Sequence, residues 1–374
     1  MFFRVENFKV NALRMPYAAD AVDEFLSPPL AEYLGIPVAA LAEYRIAAKS
    51  IDARRGAPEL VYTLNFSVAE EFAAVVADKA AGLSPDEYRA FALADLPEPP
   101  ASGAWRNPIV VGCGPAGLFA AWYLARSGCA PIILERGREV DARSRDAEAF
   151  FRSRTLDPES NFLFGAGGAG TFSDGKLYTR IHDPRADFVL RTLIEAGAPP
   201  DTAYLKRPHL GSDLLVGIVR RLQSMIEAAG GRFVYRCQVA DLLLENGACA
   251  GVISADGRKW AAPAVIFAHG LGGRDLTLKL LSGLDWQQKG FQIGCRVEHL
   301  QEWVDRRQYR IAPRPGCLGA AEYHLAMKSR GEAAGSGVTT FCMCPGGEVV
   351  PATAWTGQLS SNGMSLRARD GRYA

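Results

Sequence analysis

The sequence lacks any apolar run near the roughly 20 residues needed to span a bilayer. It also lacks an excess of charge: 42 Lys and Arg face 41 Asp and Glu, a net +1. A balance this even exerts no strong pull on nucleic acid or an anionic membrane. The start, MFFRVENFKV, has no charged-then-apolar secretory layout. The eight cysteines are scattered, which fits cytosolic thiols better than a disulfide framework. No repeat, low-complexity tract or metal-ligand cluster is visible. A cytoplasmic protein without a metal is therefore expected, its partner a small-molecule substrate and its oligomeric state open. The 374 residues, 48% hydrophobic, suffice for about two or three domains.

What the chain has is glycine, 38 residues of it. The most informative stretch is Asn107 to Arg136, NPIVVGCGPAGLFAAWYLARSGCAPIILER. A short apolar run leads into Gly112, Gly114 and Gly117, an amphipathic helix pattern follows, and a second apolar run ends at Glu135. Strand, glycine turn, helix, strand and acid, in that order, form the first unit of a dinucleotide-binding fold. Gly112 suits the tight turn, Gly114 the approach of backbone to a pyrophosphate, and Gly117 close helix packing. The helix start, at Pro115 (which has no N–H of its own) and Ala116, offers the free N–H groups that follow the proline and a positive dipole end to phosphate. Glu135 is placed to accept hydrogen bonds from a ribose diol, with Arg136 beside it.

A second glycine pattern, Gly165 to Gly170, has the same spacing but no strand before it and no helix after it. It is excluded as a second dinucleotide turn. Its density still points to backbone contact with a cofactor, through Gly167, Gly168, Gly170 and Thr171. Lys176 follows, suited to neutralising pyrophosphate or reduced-flavin charge, or to pairing with Asp174.

The first ~95 residues read as a small separate α+β domain. Strands are expected over Phe2–Val10, Tyr44–Asp52 and Leu60–Val68, with helices over Ala18–Leu34 and Asp86–Leu93. Leu96 to Gly103 is rich in proline and small residues, which puts the boundary there and the domain at 1–98. From 105 onward the pattern is α/β, with an inserted substrate or cap region at about 178–225 and 288–360. The arginine-rich stretch Arg136 to Arg154 reads as helix and loop with a solvated face. Leu214–Ala229 is a helix, and Arg232–Cys237, Val239–Glu245, Ala248–Ala255 and Ala264–Gly270 are strands.

Remaining candidates are weaker. Cys342 and Cys344 form a C-x-C pair, whose Cα atoms would lie roughly 6.5–7 Å apart in a strand, too far for an unstrained disulfide. Buried thiols and a substrate-facing Cys344 both fit. His209 is suited to proton donation or to a structural role.

Phe164–Ile181, Lys206–Leu215, Thr340–Thr353 with its FCMCPGG string, Gly290–Glu302, Ser361–Leu366 and Ser50–Arg55 together resemble a family of bacterial FAD-dependent, or NAD(FAD)-utilising, dehydrogenases. The resemblance implies a Rossmann-type FAD-binding domain with an inserted substrate domain, preceded by a small α+β domain. It implies no substrate. The downstream strands are similar to those of flavoproteins in which the backbone at the Val239 position meets adenine and the Ala268 to Gly270 strand end passes the pyrophosphate. FAD is thus the expected cofactor, with NAD(P)H as a transient electron donor. Two departures stand out. His269 precedes Gly270, where the family has its histidine after the glycine. The resemblance also implies a last strand, glycine turn and helix that cap the ribityl chain and flavin ring; the sequence shows no such segment and ends in a polar stretch, Arg367 to Ala374, so C-terminal truncation and reduced FAD affinity are expected.

The leading expectation is an FAD-dependent oxidoreductase of unknown substrate. An RNA-modifying flavoprotein and an inactive remnant are the alternatives. Residues 1–96 carry about nine basic and roughly fourteen acidic side chains, the wrong balance for a phosphate-binding face.

Overall fold

A computed structural model describes residues 1–15, 24–89, 105–177, 183–283, 285–287, 290, 293–328 and 337–374. The apolar alternation at the start folds as β1 (Phe2–Asn11). Phe3 and Val5 are buried, and so are Phe8 and Val10, two positions of opposite parity. A shift of register between Val5 and Phe8 makes both pairs face one core. Helix α1 (Ser27–Leu34) starts later than the periodicity suggests, because Pro28 and Pro29 fit only a first turn. Residues 18–23 of the expected helix lie outside the described residues, as does the expected boundary at 96–103. Strands β2 (Leu41–Asp52) and β3 (Glu59–Val68), helix α2 (Ala73–Ala77), β4 (Ala81–Leu83) and α3 (Pro85–Arg89) complete the module. Its sheet runs in the order β2-β3-β1-β4, with antiparallel pairing throughout.

The module does not stand apart. Its core of Leu26, Leu30, Leu60 and Phe66 also takes in Val304, Tyr309, Leu318, Ala321 and Met343 from far along the chain. The edge strand β2 is partly covered as well: Lys49 N–H donates to the Tyr204 carbonyl (2.9 Å), and Lys206 N–H to the Lys49 carbonyl (3.0 Å). Pairing of this kind removes the liability of an open edge.

The second unit is a Rossmann-like α/β fold. Strand β5 (Ile109–Val111) feeds helix α4 (Pro115–Arg126), which returns to β6 (Ile132–Leu134). Helices α5 (Val140–Ser153), α6 (Pro184–Glu195) and α7 (Gly211–Ala228) follow, then β7 (Arg232–Val234). An antiparallel meander, β8 (Val239–Glu245), β9 (Ala248–Ser254) and β10 (Lys259–Ala261), leads into β11 (Val265–Phe267) and helix α8 (Arg274–Leu281). The main sheet has the order β11-β5-β6-β7, and every pairing in it is parallel. Val110 and Ile133 are fully buried, as the unbroken apolar runs require of parallel strands. The stretch anticipated at 178–225 ends inside this unit. Helix α7 packs through Ile218, Leu222 and Ile226 into the cluster of Leu118 and Ala121 on α4, and it carries the chain back to β7.

Beyond lie α9 (Gln301–Tyr309), a hairpin of β12 (Ala326–Lys328) and β13 (Gly337–Thr339), and a second of β14 (Glu348–Pro351) and β15 (Ser361–Met364). The polar end is docked, which corrects its reading as a bare tail. Arg369 is 7% exposed, and Ala374 exchanges backbone hydrogen bonds with His299. No helix among the described residues is long and apolar enough to cross a membrane.

Arg143 departs furthest from its sequence reading. It belongs to the arginine-rich stretch expected to be solvated, yet it is fully buried. Its guanidinium donates to the carbonyls of Asn161 (2.9 Å), Phe162 (3.1 Å) and Ala166 (2.7 Å) and lies 4.9 Å over the Phe172 ring. Burial lowers its pKa to about 10, so it remains a cation at neutral pH. Arg143→Met leaves three buried carbonyls without donors. It is expected to cost about 3–5 kcal/mol of stability and to loosen the 161–171 loop. Thermal unfolding of the variant checks this.

Candidate functional site

The carboxyl ends of β5, β6 and β11 open onto one cleft of about 390 Å³, within the usual range for small-molecule sites. The glycine turn forms its floor. Gly112 has φ +100°, and a Cβ there would meet the Ala268 carbonyl oxygen at 2.6 Å and His269 Cα at 2.8 Å. Only a residue without a side chain lets β5 turn this close to β11. Gly117 is packed against the Gly112 carbonyl beneath the helix. Gly114 differs: a Cβ there meets nothing nearer than Gly168 Cα at 3.8 Å. The side chain it lacks would occupy cleft rather than protein. Helix α4 has no side-chain cap at its start, which leaves the N–H groups of its first turn available for an anion.

The second glycine stretch folds as a 3-10 turn, not as a strand–helix turn. It lies on the first turn: Gly167 N–H donates to the Cys113 carbonyl (2.8 Å), and a Cβ on Gly168 would sit 2.9 Å from Gly114 Cα.

Glu135 is 5% exposed and lines the cleft. Its Oε2 accepts from Cys113 N–H and its Oε1 from Gly137 N–H, both at 2.8 Å. Each carboxylate oxygen has a further lone pair, so the acid both clamps the turn and can accept from a diol. Arg136 sits at the rim, paired with Glu159 at 2.8 Å, donating to the Gly272 carbonyl at 2.7 Å and lying over the Phe164 ring at 4.7 Å.

Of the residues singled out in the sequence, Gly112, Gly114, Pro115, Ala116, Glu135, Arg136, Gly168, Gly170, Val239, Ala268 and Gly270 line this cleft together. Gly117 packs on the Gly112 carbonyl, Gly167 donates to the Cys113 carbonyl and Thr171 is buried, but none of the three lines the cleft. Lys176, His209 and Cys344 are not among the lining residues. Lys176 pairs with Asp174 (2.7 Å) and donates to the Met343 carbonyl. His209 donates from Nε2 to the Arg367 carbonyl at 3.0 Å. Burial, with the Arg369 charge adding to it, lowers the His209 pKa to about 4, so it is neutral in the fold and unsuited to deliver a proton. The unfolded chain therefore binds the extra proton first. Stability supported by His209 is full above about pH 6.5 and is lost as pH falls toward 4. Unfolding midpoints across that window should decline, and His209→Gln should flatten the decline.

The sequence reading missed Phe164, Gln238, Leu271 and Gly272 in the lining. It also left His269 without a place. His269 Nε2 donates to Thr277 Oγ1 (2.7 Å), whose own hydroxyl donates to Gly273, so Nδ1 carries the lone pair. That atom is buried without a partner, and burial lowers the ring's pKa. The uncapped helix start, the space beyond Gly114, the buried acid and this orphan acceptor fit a dinucleotide with phosphate and hydroxyl groups.

Comparison with known proteins gives the same class. Residues 110–171 match the model of the NAD(P)-binding Rossmann-like domain, and residues 290–374 that of the FAD-dependent protein, C-terminal domain-like. A Clostridium beijerinckii protein of unassigned function is 43% identical over 266 residues, 71% of this chain and 49% of the relative. The 6-methylpretetramide 4-monooxygenase of Streptomyces rimosus is 29% identical over 204 residues, 51% of this chain and 44% of the relative. The chain thus spans about half the length of the curated relatives it matches. Among solved structures, amadoriase I of Aspergillus fumigatus is similar over 48% of this chain and 52% of its own, at 17% identity and a TM-score of 0.29. The 3-ketosteroid-delta4-(5alpha)-dehydrogenase of Rhodococcus jostii is similar over 46% and 48%, at 16% identity and a TM-score of 0.29. The chain carries domains of FAD-dependent proteins, and FAD is the cofactor that these domains support.

Proposed function

We propose that this chain forms the nucleotide-binding part of an FAD-dependent oxidoreductase that acts on a small molecule. The observation that carries the reading is the convergence of the Gly112–Gly117 turn, Glu135 and the β11 strand end on one cleft. The first turn of α4 would hold the pyrophosphate, Glu135 the ribose diol, and the backbone at Val239 the adenine. Gly168 and Gly170, which line the same cleft, would offer backbone contact to the phosphates. When bound, FAD supplies two-electron redox chemistry. The protein's own share is to bind, to orient and, through Phe164 and the Arg136 bridge, to limit water at the rim. NAD(P)H would be a transient donor rather than a held cofactor, since the second glycine stretch folds as a 3-10 turn and not as a second dinucleotide turn.

The test is a titration of the purified chain with FAD, followed by anaerobic addition of NADH, NADPH and candidate substrates. One equivalent of FAD with a visible band that bleaches on adding a donor supports the reading. Binding of NAD(P)H with no affinity for FAD would replace it by a simple nicotinamide dehydrogenase.

A further inference from the structure

Phe164 lines the nucleotide cleft, yet it is only 3% exposed. Three groups cover its ring. A Cβ on Gly272 would run into it, so the ring lies directly on that backbone. The Arg136 guanidinium stands 4.7 Å from the ring centre and donates to the Gly272 carbonyl at 2.7 Å. Both residues belong to the walls of the cleft. The third group comes from far along the chain. Trp355 meets the Phe164 ring edge-on, at 5.5 Å between ring centres.

Trp355 sits in the loop between β14 and β15, residues 352–360. The loop is closed on itself. Ala352 N–H donates to the Ser360 carbonyl (3.0 Å), Thr353 Oγ1 to the Gln358 carbonyl (2.8 Å) and Gln358 N–H to the Trp355 carbonyl (3.3 Å). Ala352 and Ala354 are buried at its base, while Thr356 to Ser360 are exposed. A compact loop with a fixed base and joined ends moves as one piece. Arg274, at the start of α8, ties its tip down twice. The guanidinium lies 3.9 Å from the centre of the Trp355 ring, and Nη2 donates to Gln358 Oε1 at 3.3 Å. Arg274 directly follows Leu271, Gly272 and Gly273, which line the cleft. The loop sequence, ATAWTGQLS, has no charged side chain, so no ion pair locks the tip. Ring contacts and one amide hydrogen bond hold it, each weak enough to break and re-form.

We propose that this loop is a strap across the rim of the nucleotide cleft, with Trp355 as its latch, and that it sets how fast the dinucleotide enters and leaves. The proposal rests on the nucleotide reading of the cleft. While Trp355 stands between Phe164 and Arg274, neither the phenyl ring nor the Leu271–Gly273 turn can draw back from the rim. When the tip lifts, both are released together, because they share the one tryptophan. The latch is made in the empty and in the filled cleft alike. It therefore raises the barrier to exchange in both directions and leaves affinity nearly unchanged.

The test is stopped-flow mixing of the flavin-free full chain with FAD, read by flavin fluorescence. The slope and intercept of the observed rate against FAD concentration give the association and dissociation constants. Trp355→Ala and Arg274→Met should each raise both constants by about tenfold, the factor that ring contacts of this kind are worth together. Trp355→Phe keeps an edge contact and should fall between the alanine variant and wild type. If Trp355→Ala does not fold, Arg274→Met carries the comparison. A rise in dissociation alone would make Trp355 a contact to the ligand rather than a latch and would overturn the proposal, as would rates unchanged in both variants. A wild-type chain that binds no FAD would reject the nucleotide reading and the strap with it, whereas wild-type binding with unaltered variant rates rejects the strap alone.

Discussion

Gly114→Val is expected to yield a folded chain that no longer binds FAD. The other two fingerprint glycines cannot make this test. At Gly112 an added Cβ collides with the β11 backbone, and at Gly117 with the Gly112 carbonyl, so substitutions there would disturb the fold before they reported on a ligand. At Gly114 φ is −77°, which any residue adopts, and the nearest protein atom to an added Cβ is 3.8 Å away. A valine side chain therefore enters the cleft where the pyrophosphate would lie. Circular dichroism and the unfolding midpoint should match wild type while FAD titration shows no saturable binding. Wild-type affinity in the variant would remove the turn from the site.

Glu135→Ala is expected to weaken FAD binding by more than tenfold, from the loss of about 1.5–3 kcal/mol of hydrogen bonding to a charged acceptor. The structure adds a second effect. The carboxylate also satisfies the N–H groups of Cys113 and Gly137. Removing it leaves two buried donors unpaired, at about 1–3 kcal/mol each. The alanine variant should therefore also melt lower. Glu135→Gln keeps an acceptor oxygen for one of those donors, so it should lose affinity with a smaller drop in the unfolding midpoint. Equal midpoints for both variants with unchanged affinity would place the diol contact elsewhere.

The first strand–turn–helix–strand unit was readable because its cues are local. Apolar runs, glycine spacing and an acid all fall within 30 residues, and the backbone satisfies them without help from elsewhere. The return strand β11 was readable for the same reason, as an apolar run ending in glycine. Arg143 was not readable. Its partners are loop carbonyls 18 to 23 positions away, and no residue pattern distinguishes an arginine that will donate to a folded loop from one that will face water. Lys176 donates to the Met343 carbonyl across 167 positions, so that contact exists only once the chain around β14 and β15 has been placed. The expected polar tail failed on the same ground. Arg369 is buried by its pairing with Asp174, a partner 195 positions earlier. Trp355, set edge-on to Phe164 with Arg274 3.9 Å over its ring, likewise joins residues far apart in sequence.

The measurement that bears most directly on the central claim is equilibrium titration of the flavin-free chain with FAD, read by flavin fluorescence and repeated with NAD and NADP. Saturable binding of one FAD per chain, abolished by Gly114→Val and weakened by Glu135→Ala, is the predicted result. A folded chain that binds no FAD, or binds it equally well without the Gly114 turn, would contradict the account.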